Sequence, residues 1–140
     1  MRRRRDTGAW DREYSPEYCP PKVGLDRLIK MDKPDFLCKA AYAALAEKAP
    51  REKLVMIEVE ADIADASGGE PILLPDSSPA GPVSSGAYGF SVGKSLALGF
   101  IKTPSAVAGT AVSVAVLGRP HRGVILAEPA FDPAGARLRG

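Results

Sequence analysis

The chain reads as a mainly β protein: a small antiparallel six-stranded β-barrel preceded by one α-helix and an irregular N-terminal lead-in. Three observations predict this. Beyond Pro50 the apolar residues recur at every second position in short runs, the period of a strand with one buried face. Glycine, proline, serine and aspartate separate the runs, and most of the 14 glycines and 13 prolines of the 140 residues fall in that part of the chain. Residues 83–101 read as two short apolar strands joined by a tight Gly- and Ser-rich turn, with Gly86, Gly89 and Gly93 supplying left-handed backbone. Short strands at close spacing with no helix between them suit a small barrel or sandwich, and a barrel is the reading adopted here.

The elements follow in order. Residues 1–33 are polar, with turn chemistry at Ser15-Pro16 and Cys19-Pro20-Pro21 and one apolar segment from Val23 to Met31. So long an irregular stretch belongs in a compact protein only if it packs onto something. Asp35 sits where an N-cap belongs. Behind it Phe36, Leu37, Ala40, Ala41, Ala44 and Leu45 form one apolar helical face, which runs to Lys48 and is ended by Pro50. That face, with Phe36, Leu37, Ala41 and Leu45, is expected to close one end of the barrel and to bury Cys38. Val55, Ile57 and Val59 alternate with Met56, Glu58 and Glu60 as a half-buried strand. Pro71–Leu74 is a short strand, placed at an edge by its proline. Asp76–Pro82 reads as a loop, then come hairpin strands near Pro82–Tyr88 and Lys94–Ile101. Val112, Val114 and Val116 line the next strand, Gly118-Arg119-Pro120 turns it, and Gly123–Ala127 runs back.

Composition narrows the function classes. Hydrophobic residues at 45% and charged residues at 26% are ordinary for a globular domain, and a net charge of +2 calls for no nucleic-acid partner. The Arg2–Arg5 run lacks interleaved aromatics and reads as a solvated terminus. No apolar run approaches the roughly 18 residues of a membrane span, so no membrane partner is expected. The arginine-rich start, followed at once by acidic residues, does not resemble a signal or transit peptide, and a cytoplasmic location is the expectation. Cys19 and Cys38 lack metal-ligand spacing and read as two free thiols. His121, flanked by Arg119, Pro120 and Arg122, reads as an exposed turn residue without a catalytic constellation around it. The scattered aspartates, among them Asp65, Asp76 and Asp132, suit turns and no metal.

Several segments resemble one family in order and spacing. Val83-Ser84-Ser85-Gly86-Ala87-Tyr88-Gly89-Phe90-Ser91-Val92-Gly93-Lys94-Ser95-Leu96-Ala97-Leu98 is similar to the T-S-G-x-Y-S-P-S-L-G-K-S-I-A-L hairpin of the folate-dependent aminomethyltransferases. Asp32-Lys33-Pro34-Asp35-Phe36-Leu37-Cys38-Lys39-Ala40-Ala41 resembles D-K-x-D-F-I-G-R-E-A-L, and Gly68-Gly69-Glu70-Pro71-Ile72 resembles G-x-E-P-V. Pro129-Ala130-Phe131-Asp132-Pro133-Ala134-Gly135-Ala136-Arg137-Leu138-Arg139 resembles P-x-Y-D-P-E-G-x-R-L-R, an ending typical of the dimethylglycine and sarcosine dehydrogenase branch. Trp10, Pro20 and Gly24-Leu25 fit the same branch.

The resemblance implies that residues 1–33 are a remnant of a preceding folate-binding domain and residues 34–140 a C-terminal barrel domain. It implies tetrahydrofolate as cofactor and a place in one-carbon metabolism, beside the glycine cleavage T-protein. The family's catalytic aspartate lies in a first domain that this sequence does not contain. The isolated chain is therefore expected to be inactive, and to be either a truncated gene product or a separate subunit completing a folate-binding or flavin-dependent partner. Lys39 stands at the family's arginine that faces the folate's glutamate carboxylates, Tyr88 at an aromatic position of the hairpin, and Arg137 at the pocket rim. By register from Trp10, the glutamate that accepts the pterin's N–H groups in the family is Arg4 here, and a family tyrosine is Thr7. A guanidinium only donates, so that substitution reverses the hydrogen-bond polarity. Apart from the resemblance, Lys39 is a solvated lysine on an alanine-rich helix and Tyr88 a packing residue of a half-buried strand. A second reading follows from Arg4: a non-catalytic interaction module that has lost folate.

Overall fold

The computed structural model describes residues 8–134 and 136–139, so Arg4 and Thr7 lie outside the described residues. Helix α1 spans Lys39–Ala46. Six strands follow: β1 Glu52–Val59, β2 Pro71–Leu73, β3 Pro79–Gly89, β4 Lys94–Lys102, β5 Ala111–Val116 and β6 Arg119–Ile125. A short helix α2, Ala136–Arg139, comes last. The strands close into an antiparallel barrel in the order β1-β4-β3-β2-β5-β6. The predicted mainly β class and six-stranded closure are what the structure shows.

The two-residue period places the core. Ile57 and Val59 of β1, Ile72 of β2, Val83 of β3, Ala97 and Ile101 of β4, Val112, Val114 and Val116 of β5 and Ile125 of β6 fill the interior. Burying a Val, Leu or Ile side chain is worth roughly 1.5–3 kcal/mol, so these aliphatics carry the fold. The interior is narrow enough that side chains are missing where they would collide. A Cβ on Gly99 would strike Ile72 Cδ1 and lie 3.0 Å from the Pro82 carbonyl oxygen.

Several local expectations are corrected. Of the three hairpin glycines, Gly93 alone has positive φ, at 67°. Gly86 is small because a Cβ there would run into the Ala66 carbonyl oxygen, and Gly89 because Val92 Cγ2 would be 2.9 Å away. Strand β2 is not an edge: it pairs with both β3 and β5, and Pro71 is tolerated as its first residue. Strand β3 begins at Pro79, inside the segment expected as loop. The β5–β6 turn is Leu117-Gly118, both in left-handed backbone at φ 49° and 77°, with Val116 opposite Arg119. That is a two-residue hairpin of the type whose twist matches antiparallel strands, so Pro120 and His121 belong to β6 rather than to a turn.

Helix α1 departs most from expectation. It starts at Lys39, behind Cys38 in left-handed backbone (φ 68°), while the Asp35 carboxylate accepts only from the neighbouring Phe36 N–H at 2.9 Å. None of its residues is buried, Leu37 is 92% exposed, and Cys38 is exposed rather than buried. The helix does not stop the barrel. Ala61 and Ala64 from the β1–β2 connection, Leu74 after β2 and Ala106 after β4 pack against the core instead. The half-buried side of α1 carries Tyr42, whose phenol is pushed above its usual range by desolvation and by the nearby Asp26 carboxylate and Cys19. The helix therefore leans on the lead-in.

Replacing Gly86 with Ala tests the close approach of the hairpin to the β1–β2 connection. Overpacking of this kind costs about 1–3 kcal/mol, so the urea midpoint of Gly86→Ala should fall accordingly with an unchanged slope. An unchanged midpoint would show that the connection moves aside freely.

Candidate functional site

The lead-in is clasped to the outside of the barrel by a buried acid. Asp11, in left-handed backbone at φ 75°, turns the chain so that Glu13 points at β3. The Glu13 side chain is 0% exposed. One carboxylate oxygen accepts the Ser85 hydroxyl at 2.6 Å and the other the Ala9 N–H at 2.7 Å. Burial pushes this carboxyl up, but the donors around it, the Ser85 hydroxyl and the Ala9 N–H foremost, outweigh it and hold the group below its ordinary 4.5. Ten residues on, Val23 is buried, Tyr18 packs on Phe100 with ring centroids 4.4 Å apart, and Lys22 pairs with Glu52 at 2.8 Å. Lys22 Nζ also sits 4.6 Å above the Tyr18 ring and 5.0 Å above that of Phe100. This explains why the outward-facing Phe100 of β4 is buried although it lies outside the core.

The three residues expected to bind a ligand lie on three different elements, α1, the β3–β4 hairpin and α2. Lys39, the first residue of α1, is half-buried and donates from Nζ to the carbonyls of Lys33 and, at 3.3 Å, of Pro34. It thereby fastens the turn that enters the helix. Tyr88 lies near the tip of the β3–β4 hairpin, exposed and edge-to-face with Phe90 at 5.1 Å. Phe90, which the sequence reading did not single out, is 89% exposed. Arg137 is the second residue of α2, its guanidinium 5.3 Å from the centre of the Phe131 ring. The Asp132 carboxylate holds that turn by accepting the N–H groups of Ala136 at 2.7 Å and Arg137 at 3.2 Å. No hydrogen bond, ion pair or ring contact joins any two of Lys39, Tyr88 and Arg137 among the described residues.

Two clefts border these elements. Tyr88 lines a shallow apolar recess of about 280 Å³ with Met56, Ala87, Leu96 and Leu98. A larger cleft of about 820 Å³ runs over the outer faces of β1, β2, β5 and β6, with Leu73, Val124, Glu60 and Arg122 in its lining, and contains none of the three expected residues. Sequence reasoning also missed Glu70. Its carboxylate accepts the Ser67 N–H at 2.8 Å and the Leu117 N–H at 2.7 Å, tying the turn before β2 to the β5–β6 hairpin. His121 Nδ1 lies 3.1 Å from the Glu60 carbonyl oxygen, a structural contact. Among the described residues no group of His, Cys, Asp and Glu could hold a metal ion, and no helix is long and apolar enough to cross a membrane.

Comparison with known proteins agrees with this architecture. Residues 52–132 match the family described as the glycine cleavage T-protein C-terminal barrel domain. Dimethylglycine dehydrogenase of Mus musculus is 32% identical over 134 residues, which are 94% of this chain and 15% of that protein. An aminomethyltransferase of Saccharopolyspora erythraea is 36% identical over 107 residues, 76% of this chain and 29% of that protein. The crystal structure of the glycine cleavage system aminomethyltransferase T from Bartonella henselae superposes with a TM-score of 0.77 at 19% identity, over 87% of this chain and 34% of that one. The chain thus spans about 15% of the length of the dimethylglycine dehydrogenases it matches.

The Glu13 clasp predicts a pH dependence. The carboxyl titrates lower in the folded chain than in the unfolded one, so its ionised form stabilises the clasp above about pH 4.5. That contribution is lost as pH falls through the lowered folded value. Trp10 fluorescence should accordingly stay constant from neutral pH to about 4.5 and change below it, ahead of barrel unfolding. Glu13→Ala, which leaves the Ser85 and Ala9 donors without their acceptor, should show the acid signal already at neutral pH and cost about 1–3 kcal/mol of lead-in docking.

Proposed function

Because this chain belongs to the glycine cleavage T-protein C-terminal barrel domain family, we propose that it forms one wall of a tetrahydrofolate pocket completed by a partner chain. It would serve one-carbon metabolism of glycine or methylated amines. The chemistry would be the partner's: a catalytic aspartate, and a flavin where the substrate is oxidised. The observation that supports this reading is a pair of cations, one on α1 and one on α2, whose contacts are uncharged. Lys39 and Arg137 are held by backbone carbonyls and by an aromatic face, and neither is neutralised by a carboxylate among the described residues. Two such cations suit the glutamate carboxylates of a folate tail, and tetrahydrofolate, once bound, supplies the acceptor for a one-carbon unit. Lys39 would bind as a point charge, without the two-pronged geometry of the arginine in the family. The Tyr88–Phe90 pair offers an apolar rim.

The pterin end is less well provided. The one fully buried carboxylate of the lead-in, Glu13, is turned onto Ser85 and Ala9 with no exposed surface, so a ligand does not reach it while the lead-in is docked. With Arg4 at the register of the family's acceptor, the partner must supply that group. This favours, as a second reading, an interaction module of the same family that has given up folate. Titration of tetrahydrofolate into the chain with its partner separates the two: absence of binding removes the pocket. If the pocket stands, Lys39→Ala should weaken polyglutamylated tetrahydrofolate about three- to tenfold and the monoglutamate less, as expected for one partly exposed charge-assisted contact. Equal losses would discard the tail role for Lys39.

A further inference from the structure

Two opposite charges stand side by side on the outer wall of the barrel without pairing. Leu73 of β2 lies opposite Ser113 of β5, and Ser113 opposite Arg122 of β6. Glu60, just past the end of β1, continues that row, its N–H donating to the Arg122 carbonyl at 2.8 Å. Facing positions on antiparallel strands bring Cβ atoms to about 5 Å, close enough for a cross-strand ion pair. Among the described residues, however, the Glu60 carboxylate and the Arg122 guanidinium pair neither with each other nor with any other charged group, and both residues are exposed. Glu58, two residues earlier on the same face of β1, is by contrast taken by Lys94 at 2.6 Å.

This row lies in the cleft of about 820 Å³ and gives it two unlike ends. The end at β1 and β6 holds the two free charges. Toward β2 the lining turns apolar, with Leu73, Leu74, Pro75 and Ala111, and with Val124 opposite Ala111. Three strand spacings of about 4.8 Å separate Glu60 from Leu73, roughly 14 Å along the sheet. A cleft of this size lies within the range of small-molecule sites, which are mostly apolar with a few polar groups that fix orientation. A ligand with a carboxylate alone would be repelled by Glu60, and one with an ammonium alone by Arg122. A head that carries both charges on neighbouring carbons satisfies both residues, and its apolar body then lies toward Leu73. We infer that this cleft binds a zwitterionic amphiphile, an α-amino-acid head on an apolar chain, with the ammonium on Glu60 and the carboxylate on Arg122. The Ser113 hydroxyl, beside Arg122, is placed to donate to the same carboxylate. The inference rests on neither folate nor a partner chain, since none of Lys39, Tyr88 and Arg137 lines this cleft.

The test is a titration of 2-aminooctanoate into the full chain, followed by backbone amide chemical shifts. Saturable shifts are expected at Glu60, Leu73, Ser113 and Arg122. Three relatives of the probe each lack one feature: octylamine the carboxylate, octanoate the ammonium, alanine the apolar chain. Each should bind about three- to tenfold more weakly, as for loss of one partly exposed contact. Arg122→Gln should weaken 2-aminooctanoate by a similar factor and leave octylamine no weaker, because the repulsion goes with the charge. Glu60→Gln should do the same with octanoate in place of octylamine. Both side chains are exposed and unpaired, so the thermal midpoints of the variants should match that of the parent chain, and the ligand series on the unaltered chain decides the matter if a variant fails to fold. Absence of saturable shifts up to about 10 mM overturns the inference, as do shifts confined to residues outside the cleft. Octanoate, octylamine or alanine binding as tightly as 2-aminooctanoate overturns it as well, because the site would then not read both charges and the chain together.

Discussion

The closure of six strands into one narrow barrel constrains everything else in this protein. Eight strands enclose an interior just wide enough for side chains to fill, and six enclose less. The interior here is taken up by ten aliphatic side chains from all six strands, with Ala66 and Ala80 beside them. At Gly86, Gly99 and Gly123 even a methyl group would press on a neighbouring carbonyl or on Ile72 or Ile57. A barrel this full has no room for a ligand inside. Any binding must use the outer faces, the hairpin tips and the segments that enter and leave the barrel, and there the unpaired cations and exposed rings are found.

The segments that enter and leave the barrel are held by different physics. At the entry, a fully buried carboxylate is satisfied by hydroxyl and backbone donors and no cation, with an aromatic pair and the Lys22–Glu52 contact reinforcing it further along. At the exit, Asp132 organises a turn and Arg137 rests on Phe131. The entry contact buries polar groups that are expensive to strand, so it is high-stakes and specific. The exit contact is exposed and contributes correspondingly little. The lead-in therefore behaves as part of the barrel's surface, whereas α2 is held only locally.

What was legible in the sequence was whatever depends on period. Alternation along Val55–Val59 and Val112–Val116 reports which side chains share a face, and those faces are the core. The helical period picked out Ala40, Ala41, Ala44 and Leu45 as one face of α1 but gave it the wrong direction, and it counted in Phe36 and Leu37, which precede the helix behind Cys38 in left-handed backbone. Spacing says that Ala41 and Leu45 lie together, but which side meets water depends on what else is present. Turn placement failed for a related reason. Gly118-Arg119-Pro120 carries strong turn composition, yet the two-residue turn is Leu117-Gly118, because strand twist favours two left-handed residues and a leucine was asked to be one of them. Glu13 had no periodic signature at all. An acid in a polar lead-in is indistinguishable from its solvated neighbours until Ser85, 72 residues away in sequence, is seen to meet it.

The residues marked by resemblance gain a physical account that differs from their expected one. Lys39 is more than a charge on a helix: by donating to Lys33 and Pro34 it holds the turn that enters α1. An anion that drew the ammonium group away would have to compensate for the carbonyl contacts given up, so any ligand bound there competes with the helix's own entry turn.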